Sequence, residues 1–308
     1  MIPLIVIQGP TGVGKSAFAF DLAETLNTEI ISADSRQIYK LLNIGTAKPS
    51  IEEQKRIKHH LINIINPDAD YSAGDFTRDA KKIISELHKN NKIPIIAGGT
   101  GFYVKALLDG IFQSPDVPIE LRNKLIKEAS EKTTEFLYKR LAEVDIDSAK
   151  RVDPNDLNRI IRALEIYEFT GKTITQLWKE EPADNINYKV FNILINQDRK
   201  LLYNKINLRV DEMIENGLLD EIKYLLQLGY SPECPGFNTV GYKELLPYFL
   251  EGADLDFCIK MIKQHTRNYA KRQLTWYRRI SFDLTLDIND INISKVLELI
   301  NNKLRDSK

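Results

Sequence analysis

The sequence predicts an α/β fold: a parallel sheet flanked by helices, of the phosphate-loop kind, interrupted by an all-helical insertion. Three observations predict it. The first hundred residues alternate strand-like and helix-like runs, the pattern of a parallel sheet with helices on its faces. Gly9 to Ser16 reads GPTGVGKS, a complete G-x-x-x-x-G-K-[ST] loop set between a strand and a helix. Strand signal then fades near Ser114-Pro115-Asp116-Val117-Pro118 and returns only at Val190, so the helical stretch between reads as inserted into one α/β core.

The elements follow in order. Leu4-Ile5-Val6-Ile7 is a continuous apolar run, as in a strand buried on both faces. Phe18, Leu22 and Leu26 recur every fourth residue and mark the first helix. Glu29 to Ser32 reads as the second strand, ending at Asp34, and His60 to Ile64 as the third. Phe76 to Leu87 is helical, and Ile93 to Ala97 is a fourth strand running into Gly98-Gly99. Val190 to Ile195 is a further strand. The helix after it carries Leu202, Ile206, Val210 and Met213 on one face. A last helix, about Asp256 to Ile280, is expected to close the regular part of the chain. The domains are therefore drawn as 1–113 with 188–308 for the core, and 114–187 for the insertion.

With 308 residues and 43% hydrophobic content, the chain can build a large core. No apolar run approaches a membrane span, and no basic leader precedes the first strand. Two unpaired-looking cysteines, Cys234 and Cys258, suit a reducing cytoplasm. Basic and acidic residues balance at 43 each, which argues against indiscriminate coating of nucleic acid but permits a local basic face.

Five groups of residues carry chemistry. In the loop Gly9, Pro10, Thr11, Gly12, Val13, Gly14, Lys15 and Ser16, the backbone N–H groups of Gly12 to Ser16 would curl around an anion at the positive end of a helix. Lys15 would reach phosphate oxygens and Ser16 would ligate Mg²⁺. Asp34, opening DSRQIY, serves equally as a general base, a Mg²⁺ ligand or a helix N-cap. Thr100, in GGTGFYVKALLDG, offers a hydroxyl and an N–H beside a ligand, or lies in a plain tight turn. In DPNDLNRIIRALE, Leu157, Ile160, Ile161 and Leu164 form an apolar stripe. Asn158, Arg159 and Arg162 lie off it, free for phosphates or base edges or simply solvated. His265 to Arg279 holds Arg267, Lys271, Arg272, Arg278 and Arg279 with no acid. Tyr269, Trp276 and Tyr277 are interleaved, as rings that stack RNA bases or as core anchors, the latter expected at least of Trp276. His59-His60 lack helical metal-pair spacing and read as structural. The fourth strand ends in glycines, so no acidic residue stands where a nucleotide-hydrolysing P-loop protein holds Mg²⁺.

Taken together, GPTGVGKS, DSRQIY, IGTAKP, HHLI, YSAGDF, GGTGFYVKALLDG, PNDLNRIIRALE, LRVDEMIENGLLDE, VGYKEL and RNYAKRQLTWYRR resemble the tRNA dimethylallyltransferase family, in order and over nearly the whole chain. Glu233 to Thr239 is irregular for that family, and Asn158 stands where Gln is common. The resemblance implies a P-loop NTPase-like core and transfer of a dimethylallyl group from dimethylallyl diphosphate to N6 of the adenosine at tRNA position 37. It assigns Asp34 as the base that takes the N6 proton, and Mg²⁺, Lys15 and Arg209 as charge stabilisers at the departing diphosphate. Thr100 aligns the reacting groups, and the target base flips out of its stack. Asp34, Ser35, Arg36, Gln37 and Thr100 are expected to meet the base, with Ser35 and Gln37 bonding its edge. Arg122 and the run Asn158, Arg159, Ile160, Ile161 and Arg162 are expected to hold the anticodon arm. The implied enzyme is bacterial, cytoplasmic and monomeric, with tRNA and dimethylallyl diphosphate as partners and no membrane. A transferase for free adenine nucleotides and a small-molecule kinase are the competing readings. The insertion and the basic last helix argue against a small acceptor.

Overall fold

β1 (Ile2–Gln8) runs through the middle of a six-stranded sheet in the computed structural model, which describes residues 1–110, 115–180 and 187–305. Leu4 to Ile7 of this strand are fully buried, as a strand covered on both faces must be. The strands β2 (Ile30–Ser32), β3 (His59–His60), β4 (Ile95–Gly98), β5 (Tyr188–Asn196) and β6 (Leu284–Asp287) complete the sheet in the order β3-β2-β4-β1-β5-β6. Every pairing is parallel. Gln8 pairs with Gly98 and Leu194, and Ser32 with Ala97, so the carboxyl ends of β1, β2, β4 and β5 come level. Open parallel sheets bind ligands just beyond that edge.

In the first part of the chain the helices are α1 (Lys15–Leu26), α2 (Ile51–Arg56), α3 (Ala73–Lys89) and α4 (Gly101–Asp109). They are followed by α5 (Ile119–Lys132), α6 (Thr134–Val144), α7 (Ile146–Ala149), α8 (Leu157–Thr170) and α9 (Ile174–Glu180). After β5 come α10 (Arg199–Glu215), α11 (Leu218–Gln227), α12 (Leu246–Glu251) and α13 (Leu255–Tyr277). α14 (Ile293–Arg305) follows β6.

The chain divides into two units, Met1–Leu108 with Ile186–Lys308, and Asp109–Asn185. The domain edge expected at 113/114 lies outside the described residues. The first unit has a core around the sheet, with Ile5, Phe18, Leu22 and Ile193 in it, and another around Phe237, Tyr242 and Leu218. α10 and α13 are tied side by side by Lys263–Asp211 at 2.6 Å and by Arg267 donating to Asn207 at 2.6 Å. The second unit packs Leu125, Leu137, Leu141, Ile160 and Leu164 together. No described helix is long and apolar enough to cross a membrane.

Two expectations fail locally. The third strand is only His59–His60, not His60 to Ile64, because Leu61 and Asn63 take φ of 60° and 55° and leave extended geometry. Regular structure also does not end at Ile280. Phe282 to Asp287 carry the chain back to pair with β5, and α14 buries Val296 and Ile300 against the sheet core. Leu284-Thr285-Leu286-Asp287 alternates for only four residues, too short a signal to stand out in sequence.

Candidate active site

The turn from β1 into α1 has the backbone geometry an anion cradle needs. Gly12 and Gly14 sit at φ of 80° and 100°, and a Cβ on Gly12 would also fall 2.9 Å from the Ile206 side chain. Gly14 caps α1 in the left-handed region without any side-chain hydrogen bond, and the first turn holds no acid. The N–H groups that begin the helix therefore have no side-chain cap, at the positive end of the helix dipole, where an anion could bind. Val13 is buried and fixes the loop from below, while Ser16 is exposed at its mouth.

Asp34 follows β2, and its two carboxylate oxygens have different surroundings. Its Oδ1 accepts the N–H groups of Arg36 at 2.9 Å and Gln37 at 3.4 Å, capping the turn. Its Oδ2 accepts no hydrogen bond from the described residues and the side chain lines a cleft. Thr100 braces this turn from β4. Its N–H donates to Ala33 at 3.1 Å, and its Oγ1 accepts the Ser35 N–H at 3.0 Å and lies 3.4 Å from the Ser35 hydroxyl. Arg36 donates to the Pro235 carbonyl at 3.3 Å and lines the same cleft.

Gln37 corrects the sequence reading. Both of its amide donors are used on the carbonyls of Thr46 at 3.3 Å and Ala47 at 3.1 Å, and its Oε1 accepts from Ser32 at 2.9 Å. With its N–H groups spent on backbone it anchors the IGTAKP loop instead of bonding a base edge. Lys48 in that loop is likewise committed to Tyr39, Asn43 and Asn63, and burial pushes its ammonium down to about 8.

Two cavities meet at this sheet edge. One, of about 400 Å³, is lined by Gly14, Lys15, Ser16, Ala47 and Glu212. The other, of about 850 Å³, is lined by Thr11, Asp34, Ser35, Arg36, Tyr269 and other residues. Gly12 and Arg209 line both and form the neck between them. Arg209 is placed there by α10, on whose buried stripe Leu202, Ile206 and Val210 lie. Burial pushes Lys15 down to about 8; Asp34 opposes that fall and Arg209 adds to it. Burial lowers Arg209 as well, against the pull of Asp34 and Glu212. Two desolvated cations and one carboxylate thus share the neck, a site where an incoming polyanion gains more than it would in water.

α13 supplies residues that sequence reasoning missed. Gln273, buried, accepts the Thr11 N–H at 2.9 Å and donates to the Gly99 carbonyl at 2.8 Å. Tyr277 donates its hydroxyl to Gly9 at 3.2 Å, with Gly99 at 3.4 Å. Tyr277 is therefore a clamp on the loops and not an RNA-stacking ring. Trp276 packs half-buried beside Gly101, as expected of an anchor. Of these three rings, Tyr269 alone lines the cleft, where its hydroxyl bonds Thr100. The available signal was the inward period Ala270, Gln273, Tyr277, in which a glutamine occupies a core position.

In the second unit, Arg122, Asn158 and Arg162 come together around the buried Glu165. Arg162 meets its carboxylate at 2.6 Å and Arg122 at 3.4 Å, while Arg122 also donates to Asn158 at 3.3 Å. A buried carboxylate needs such partners, so part of each guanidinium's role is structural. Arg159 points outward, its side chain 68% exposed and 3.3 Å from Asp156. Ile160 and Ile161 are buried in the helical core and cannot touch RNA, which corrects the expectation that the whole run does.

His60 bonds Glu29 at 2.7 Å and His59 bonds the Ile57 carbonyl at 2.8 Å, both at the sheet edge. Among the described residues no three His, Cys, Asp or Glu form a metal cage. The mouth instead offers the exposed Ser16 hydroxyl and the Glu212 carboxylate. A few hard oxygens of this kind suit a Mg²⁺ that takes its other ligands from phosphate and water.

Comparison with known proteins gives one consistent picture. Residues 37–280 match the family model described as IPP transferase. The chain is 48% identical over 278 residues to a tRNA dimethylallyltransferase of Alkaliphilus oremlandii, covering 90% of this chain and 88% of that protein. It is 41% identical to tRNA dimethylallyltransferase 1 of Syntrophotalea carbinolica, covering 97% and 95%. The crystal structure of a tRNA isopentenylpyrophosphate transferase from Bacillus halodurans superposes with a TM-score of 0.73 at 35% identity, over 99% of this chain and 98% of that one. A eukaryotic dimethylallyltransferase caught acting on tRNA gives 0.83 at 32% identity, over 99% and 80%.

Proposed function

The chain belongs to the IPP transferase family, and from that premise we propose that it transfers a dimethylallyl group from dimethylallyl diphosphate to N6 of the adenosine at tRNA position 37, just 3′ of the anticodon. The observation that carries the reading is the neck. Cations Lys15 and Arg209 stand with the uncapped start of α1 on one side, and the free Oδ2 of Asp34 faces the larger cleft on the other.

The residues divide the work accordingly. The loop Gly9 to Ser16 holds the diphosphate, whose charge grows as the bond between its oxygen and C1 of the prenyl group breaks. Lys15 and Arg209 stabilise that charge where it develops. Ser16 would hold Mg²⁺ on the diphosphate, and the ion, when bound, would neutralise part of the leaving group's charge. N6 of adenine is a weak nucleophile because its lone pair is delocalised into the ring. Asp34 Oδ2 takes the N6 proton as the N6–C1 bond forms, and the diphosphate departs with the electron pair of the broken bond. Thr100 keeps Asp34 and Ser35 in line, and the Ser35 hydroxyl and Arg36 meet the flipped base. Arg122, Asn158, Arg159 and Arg162 grip the anticodon arm, with phosphate contacts setting register. The enzyme acts in the cytoplasm as a monomer.

The test is incubation with radiolabelled dimethylallyl diphosphate and unmodified tRNA, followed by nucleoside analysis. Label in N6-(dimethylallyl)adenosine from position 37 is expected. Label on AMP and none on tRNA would replace this reading with an adenylate transferase. Phosphate transfer from ATP without use of the prenyl donor would replace it with a kinase.

A further inference from the structure

We infer that Gln273 is a positioning residue for prenyl transfer: through one side-chain amide it fixes the phosphate loop against the Gly98-Gly99 loop and so sets where Lys15 meets the diphosphate. The inference rests on the diphosphate reading of the loop.

The two loops leave neighbouring strands, β1 and β4, whose ladder ends at the Gln8–Gly98 pair. Beyond that pair no strand hydrogen bonds hold them in register. Gln273 takes over there, accepting the Thr11 N–H at 2.9 Å and donating to the Gly99 carbonyl at 2.8 Å. One turn further along α13, Tyr277 donates to Gly9 and faces Gly99. The phosphate loop is thus gripped at its start and at its third residue, both upstream of the N–H groups that would face the anion.

The same geometry reaches Lys15. A Cβ on Gly99 would lie 2.5 Å from Gln273 Nε2 and 3.6 Å from Lys15 Nζ. The amide and the ammonium therefore border the same space beside Gly99, and a side chain there would strike the first and touch the second. Gln273 is buried and its amide is paired at both ends, so its own conformation is fixed by the contacts it makes. α13 is also the helix whose Tyr269 enters the acceptor cleft. One helix thereby references the donor loop and the acceptor cleft to each other, the condition for aligning two reactants.

The experiment uses the full chain and inorganic pyrophosphate as the probe. Gln273→Met keeps length and volume but removes both hydrogen bonds. Pyrophosphate affinity by calorimetry is expected to fall at least fivefold and kcat at least tenfold, with the KM for tRNA within twofold. In a Lys15→Ala background the same substitution is expected to change pyrophosphate affinity less than twofold, because the group being positioned is gone. A lowered melting temperature with unchanged pyrophosphate affinity and kcat would overturn the inference. So would an equal fold-loss in both backgrounds, the mark of a purely structural role. If Gln273→Met does not fold, Tyr277→Phe removes a single hydroxyl from the same clamp. At least twofold weaker pyrophosphate binding is then expected, and wild-type affinity overturns the inference. Absence of pyrophosphate binding by the unsubstituted chain would instead overturn the diphosphate reading, and this inference with it.

Discussion

The Ser35 N–H donates to Thr100 Oγ1 at 3.0 Å, across 65 residues of sequence, and so locks the turn after β2 to the turn after β4. Asp34 sits immediately before this bond. Its place at the cleft depends on the ends of β2 and β4 being held level by a threonine hydroxyl.

Thr100→Val keeps the shape and removes that acceptor. Leaving a partly buried N–H unpaired is expected to cost about 1–3 kcal/mol of stability, read by urea unfolding, together with a fall in kcat. Thr100→Ser should restore both. A valine variant with wild-type turnover would show that Thr100 does not orient the reacting groups.

Asp34→Asn should separate the observed turn cap from the proposed base role. An asparagine Oδ1 can still accept from Arg36 and Gln37, so the fold and tRNA affinity should persist. Loss of the basic oxygen is expected to lower kcat by about 10²–10⁴-fold. Single-turnover kinetics check this, and a rate within a few-fold of the unsubstituted enzyme removes Asp34 as the base.

Lys15 gives a pH signature. Burial holds its ammonium at about 8 in the free protein, so it is cationic below that pH and neutral above. A bound diphosphate favours the cation. Between about 8 and the ordinary value of 10.5, pyrophosphate binding should therefore take up a proton, and affinity should fall as pH rises through this window. Calorimetry at pH 9 in buffers of different ionisation enthalpy reads the uptake. Without ligand the sign reverses for stability. The unfolded chain holds the proton more tightly, so the Lys15 contribution to folding rises from pH 8 upward. Lys48 titrates in the same range, but its ammonium is committed to Tyr39, Asn43 and Asn63. Lys15→Ala should abolish the binding-linked uptake, and persistence of it would assign the proton elsewhere.

Arg159 and Arg162 should behave differently despite lying three residues apart. Arg159→Ala should leave stability unchanged and reduce the salt slope of tRNA binding by about one. Arg162→Ala removes one of two cations from the buried Glu165 and is expected to destabilise the inserted unit by about 1–3 kcal/mol, less than the full cost of a broken buried pair because Arg162 is partly solvated. Thermal unfolding and filter binding over a salt series separate the two. Equal effects from both substitutions would mean the helix presents them to solvent alike.

Much of the fold was legible because its signals are local. GPTGVGKS between an apolar run and a period-four helix fixed β1, the loop and α1, since glycine freedom and strand burial act over a few residues. Ile95 to Gly98 and Asp34 could be placed at strand ends for the same reason. The helical insertion followed from a long absence of strand pattern.

What sequence determined by itself was therefore the chemistry available: a glycine loop of the phosphate-binding pattern, a carboxylate at a strand end, a basic helix, and an ordered set of motifs sufficient to imply the family. What only the tertiary structure decided was which polar groups are spent on the protein. Gln37 looks free in DSRQIY but satisfies the Thr46 and Ala47 carbonyls. Tyr277 looks like an RNA platform but closes on Gly9. Ile160 and Ile161 sit within a basic run yet face the core, and Gln273, one polar residue among the bases and rings of RNYAKRQLTWYRR, joins Thr11 to Gly99. The physical reason is that hydrogen bonds across 174 or 262 residues are set by where helices pack, and a polar side chain's partner is not written in its neighbours.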